Sequence, residues 1–200
     1  AAITLAMFFW GLTFVWTDIC LQYLEPVSIL LFRLSISSVL LFSLMKIMRI
    51  RMLPDRKDIG LVLLTALLNP FLYFLGESYG VKYSSPTVSA VFIALVPVFT
   101  PIAAWMVYRE KLSILNIIGL SISIAGVMLM IIKPDYSLNA SWLGVFSLVF
   151  AVIVAIAYSI LLKPLAIKYN PFSVIAWQNL AGIFMFLPFF LIFWWKNVLQ

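Results

Sequence analysis

Two hundred residues that are 65% hydrophobic and 10% charged, with a mean hydropathy of +1.16, leave no room for a soluble domain and point to an integral membrane protein. One cysteine and no histidine exclude an internal disulfide, Cys/His metal sites and histidine-based acid–base chemistry. The net charge of +6 gathers at the ends of apolar runs, which marks topology and contact with anionic lipid rather than a nucleic-acid surface.

A spanning helix needs about 20 residues, and the apolar runs predict seven spans, at 2–21, 27–46, 59–78, 86–108, 113–132, 142–162 and 172–195. The first run is read as a retained span rather than a cleaved leader, because it is too long for one and no small-residue cleavage site precedes Asp18. Between the second and third spans, Lys46 to Asp58 is the longest charged stretch and holds five cations. Short loops rich in Lys and Arg stay in the cytoplasm, so the N-terminus is expected there too. Alternation then places nine cations inside (Lys46, Arg49, Arg51, Arg56, Lys57, Arg109, Lys111, Lys163, Lys168) against Lys82, Lys133 and Lys196 outside.

In the third span, Pro70 lacks the N–H that the Ala66 carbonyl would accept, which predicts a kink at Asn69-Pro70. A freed carbonyl beside an amide suits a polar substrate, or it is a packing kink with Asn69 bonded to a neighbour. Tyr73 follows one turn later. Pro97 and Pro101 free the Ile93 carbonyl and bend the fourth span, with Ser89 on its outer half; the bend serves either as a hinge or as static curvature. Gly119, Ser123 and Gly126 put small residues on one face of the fifth span, a helix-packing pattern.

The polar, turn-rich stretch 133–141 is the internal boundary. After it the opening of the chain recurs: Tyr23-Leu-Glu-Pro-Val-Ser28 leads into the second span and Tyr169-Asn-Pro-Phe-Ser173 into the seventh. Aligning Pro26 with Pro171 sets Arg33 opposite Gln178, each about 10 Å into its helix. Five spans per copy make the second copy enter from the other side. Inverted repeats of this kind build carriers whose substrate site lies between the repeats near mid-membrane.

Gly80 to Pro86 (Gly-Val-Lys-Tyr-Ser-Ser-Pro), Leu95 to Phe99 (Leu-Val-Pro-Val-Phe), Tyr108 to Ser113 (Tyr-Arg-Glu-Lys-Leu-Ser), Gly119 and Gly126-Val127, with Trp10-Gly11 and Arg33 before them, follow in an order and spacing that resembles the EamA domain of the drug/metabolite transporter superfamily. The resemblance implies an all-α polytopic membrane protein of ten spans in two inverted five-helix repeats. Residues 1–132 would be the first repeat, 133–141 the linker and 142–200 a partial second repeat, with three further spans expected beyond Gln200. It also implies transport of small metabolites such as amino acids, often outward, across a bacterial inner membrane.

Polar residues inside spans are costly unless they face protein or a water-filled cavity, and they supply the candidate substrate-binding set. Arg33 would meet a carboxylate by a two-point contact, or else pair structurally with Asp18 or Glu25, or anchor to head groups. Gln178 would face the cavity or bond between helices, with Trp177 pointing about 100° away from it. Asn69 and Tyr73 would add hydrogen bonds, and Trp10 an apolar wall or core packing.

Trp105, Tyr108, Trp142, Tyr169, Trp194 and Trp195 read as interfacial belt residues, and Glu110 as a salt-bridged anchor between Arg109 and Lys111. No catalytic residue, metal or cofactor is expected, and the partners are a small-molecule substrate and the bilayer. Asp18 and Glu77 are the candidates if transport is proton-coupled, although both fall near the outer interface. The reading is a secondary transporter, exporter or exchanger, working by alternating access. The alternatives are an exporter of drugs and amphiphiles, or a membrane assembly subunit that transports nothing.

Overall fold

The computed structural model describes residues 2–50, 54–109, 114–131 and 141–198, and every regular element in them is helical. Six helical runs are long and apolar enough to cross a membrane: Thr4–Leu21, Pro26–Ile47, Arg56–Tyr83, Pro86–Tyr108, Trp142–Lys168 and Pro171–Ile192. The first two are helices α1 (Ala2–Leu21) and α2 (Pro26–Ile47). Helix α7 (Ile114–Ile131) stands where the fifth span is expected. The protein is an all-α polytopic membrane protein. Apart from Ser141, the 133–141 linker lies outside the described residues, as does Glu110.

Helix starts follow local chemistry. Proline fits the first turn, where its missing N–H is no loss, and Pro26, Pro86 and Pro171 open α2, α5 (Pro86–Ile93) and α9 (Pro171–Val198). Ser85 caps α5 by accepting from the Val88 N–H at 3.2 Å, and Ser141 caps α8 (Trp142–Lys168) by accepting from Gly144 N–H at 3.1 Å.

The third span is interrupted more deeply than a simple kink. It runs as α3 (Ile59–Ala66), a π-helical stretch over Leu67–Leu72, and α4 (Tyr73–Tyr83). Asn69 is extended, at φ −139° and ψ 116°, because the residue before proline is pushed out of the helical region; the Asn69-Pro70 bond is cis. The fourth span also divides, into α5 and α6 (Val96–Tyr108), which places Pro97 in the first turn of α6.

The interrupted span is the centre of the packing: α4 lies along α8, α3 and the π-helical stretch lie against α9, and α2 runs beside α9. Glycines set the approach. A Cβ on Gly80 would stand 2.3 Å from Leu148 Cδ2, one on Gly76 2.9 Å from the Ser147 carbonyl oxygen, and one on Gly182 2.6 Å from Pro70 Cγ. On the expected packing face of α7, a Cβ on Gly119 would meet nothing within 4 Å among the described residues. Ser123 and Gly126 fall outside the residues whose side chains are described.

Charged groups tie the two ends. At one end Lys168 bonds Asp58, and reaches Asp55 at 2.7 Å, while the Tyr169 hydroxyl donates to Asp58 Oδ2 at 2.5 Å. At the other, Lys82 donates to Glu25 at 2.7 Å and the Ser141 hydroxyl to the Tyr83 carbonyl at 2.8 Å. Asp55 and Asp58, at the start of the third span, therefore share one end of the bundle with the α8–α9 corner, as alternating spans require.

Candidate functional site

A cavity of about 300 Å³ opens where α2, the break in the third span, α8 and α9 meet. Its polar wall is Arg33 and Ser37 from α2, Asn69 from the break, Tyr158 from α8, and Gln178 and Asn179 from α9; Phe74 and Pro70 are among its apolar neighbours. Pro26 and Pro171 both begin their helices, so Arg33 and Gln178 sit at the same depth from their helix starts. They line one cavity.

Gln178 is 2% exposed and engaged at both ends of its amide. Tyr158 donates to its Oε1 at 3.0 Å, and its Nε2 donates to Thr65 Oγ1 at 2.9 Å. Thr65 in turn donates back to the Leu61 and Val62 carbonyls. Asn179 Nδ2 donates to Ser37 Oγ at 2.9 Å. These contacts cross-brace α2, α3, α8 and α9 around the cavity.

Arg33 and Asn69 are differently placed. The Arg33 guanidinium lies 4.2 Å over the Phe74 ring, and Nη1 stands 3.9 Å from Glu77 Oε2. Glu25, one partner considered for it, pairs with Lys82 instead. Arg33 lines the cavity, and at 3.9 Å from Glu77 its N–H groups make no hydrogen bond to that carboxylate. The Asn69 amide also faces the cavity, at a backbone break where neighbouring carbonyls lose their helical donors.

Tyr73 and Trp10 stand elsewhere. Tyr73 is 5% exposed and donates to Glu77 Oε1 at 3.0 Å, behind the cavity wall. Trp10 is 36% exposed, with its ring 6.5 Å from that of Phe14. Trp177 turns away from Gln178 and borders a separate apolar cavity of about 250 Å³ with Pro54, Ile59 and Phe184.

Sequence reasoning passed over Ser37, Tyr158 and Asn179, although each is a polar residue within an apolar run. Glu77, expected near the outer interface, is 4% exposed, and the third span continues to Tyr83, more than a turn past its expected end.

The EamA-like transporter family matches residues 1–132. An uncharacterized transporter of Archaeoglobus fulgidus is 27% identical over 187 residues, which is 94% of this chain and 65% of that protein. The uncharacterized transporter YcxC of Bacillus subtilis is 31% identical over 145 residues, 70% of this chain and 45% of its own length. The chain thus spans less than two thirds of the length of these relatives. No solved structure matches it. By the extent of the family match, about two thirds of its length, the chain belongs to the EamA-like transporter family.

Proposed function

We propose that the protein is a secondary carrier for small organic metabolites, with amino acids the leading class, and that it works as an exporter or exchanger by alternating access between inverted repeats. The observation that carries this reading is the cavity itself: Arg33 and Gln178, each seven residues after the proline that opens its helix, border one polar space beside a broken helix. Carriers built of inverted repeats hold substrate between the copies, against discontinuous helices. Arg33 would grip a carboxylate, Asn69 would add a donor and an acceptor, and Gln178 would hold the wall through Thr65 and Tyr158. The site offers binding and no covalent step.

The family and the positive-inside rule support a place in the bacterial inner membrane, with the N-terminus and the 46–58 loop in the cytoplasm. A second reading, export of drugs and amphiphiles, draws on the apolar cavity beside Trp177 and Phe184.

Labelled-substrate counterflow in proteoliposomes of the full-length protein, with amino acids, nucleobases and cationic drugs, tests both. Saturable exchange of one class is expected. Arg33→Ala should lower it about tenfold or more, since a charge-assisted contact contributes about 1.5–3 kcal/mol. Exchange of drugs alone would favour the second reading, and no exchange of any compound would leave a structural subunit as the better account.

A further inference from the structure

Arg33 faces two ways. Its guanidinium borders the cavity, and behind it stands Glu77, which is 4% exposed and forms no part of the cavity wall. The Tyr73 hydroxyl holds the other carboxylate oxygen at 3.0 Å. Helix α8 meets this stretch of α4 with the apolar Phe150 and Ala151, and neither α5 nor the π-helical stretch has an ionisable side chain. Among the described residues, the ionisable groups in direct contact with Glu77 are Arg33 of α2 and Tyr73 of its own helix; α1, which also packs on α4, carries Asp18 and Cys20.

The charge count fixes how this group answers a second anion. With the cavity empty, guanidinium and carboxylate cancel. Their separation of 3.9 Å is beyond hydrogen-bond reach, so Arg33 keeps N–H pairs for a fork-to-fork contact with a carboxylate arriving from the cavity. Arg33, Glu77 and that anion together would carry one net negative charge, and Glu77 cannot turn to water. A buried carboxylate without compensation takes a proton instead.

We propose that Glu77 is the proton carrier of this site: a substrate carboxylate binds Arg33 from the cavity, one proton binds Glu77 behind it, and the two cross the membrane together. This inference rests on the reading of the cavity as a carrier site for small organic metabolites, and moves its leading substrate class from amino acids to monocarboxylate anions. The proton comes from water and adds to a Glu77 oxygen, Tyr73 keeps its hydrogen bond, and no other bond forms or breaks. Among the described residues the cavity wall holds no carboxylate to receive an ammonium group, so a monocarboxylate anion fits better than a zwitterion of the same size.

The test measures net uptake of pyruvate, lactate and alanine into substrate-free, weakly buffered proteoliposomes of the full-length protein, beside their counterflow and that of the cationic drugs, and follows the accompanying pH change. The expected result is net uptake of a monocarboxylate with one proton taken up per anion, accumulation driven by an acid exterior, and counterflow of the same anion with no net proton movement. Infrared difference spectra on adding that anion should show a protonated carboxyl band that shifts in Glu77→Asp and is missing in Glu77→Gln. Net carboxylate uptake without proton uptake, or a band unmoved in both variants, overturns the proposal. Exchange of alanine or a drug with neither carboxylate overturns it but leaves a carrier; exchange of nothing overturns the carrier reading as well.

Discussion

Gln178 and Arg33 are equivalent by position and opposite in circumstance. Both could be picked out of the sequence, since each lies seven residues after the proline that opens its helix and a polar group at that depth needs a reason. Their partners could not, because a chain read in one dimension does not say which spans are neighbours. The Thr65–Gln178–Tyr158 relay joins residues from three separate spans. Thr65 is fully buried, so Thr65→Val strands a Gln178 donor away from water, a loss of about 1–3 kcal/mol. Thermal unfolding of the full-length protein in detergent should show that destabilisation for Thr65→Val and little of it for Thr65→Ser. The burial of Glu77 was hidden for the same reason, because its neighbours Arg33 and Tyr73 come together only in the packed bundle.

At the scale of elements, the breaks were legible and the seams were not. Asn69-Pro70 and Pro97 carry their consequences locally, through a missing N–H and a restricted preceding residue, so interrupted third and fourth spans follow from the sequence. Close helix approach depends on what lies opposite. Gly119 fits a packing pattern, yet a Cβ there would meet nothing within 4 Å among the described residues, whereas Gly76 and Gly80 admit α8 to within contact of the α4 backbone. In a bilayer, where lipid tails are as apolar as leucine, such fit is a main source of helix association. Gly80→Leu should therefore separate α4 from α8 and destabilise the protein by about 1–3 kcal/mol in the same unfolding assay.

Over the whole molecule, charge distribution and chain reversal agree. Lys168 and Asp58 share one end, and Glu25 and Lys82 the other, which is the alternation the cation count predicts. In a Cys20→Ser background, a membrane-impermeant thiol reagent should label Lys57→Cys from the cytoplasmic side only and Tyr23→Cys from the opposite side only. The reverse pattern would invert the proposed orientation. Helices α2 and α9 run side by side and place Arg33 and Gln178 on one cavity.

The same two end contacts bear on the third span. Asp58 at its start is held by Lys168 and Tyr169, and Lys82 and Tyr83 at its close are held by Glu25 and Ser141. It is a strut pinned at both tips and jointed in the middle. Any rocking of α9 against α8 that leaves the tips fastened has to be taken up at Asn69, so the joint that borders the cavity is also where the cavity can change its shape.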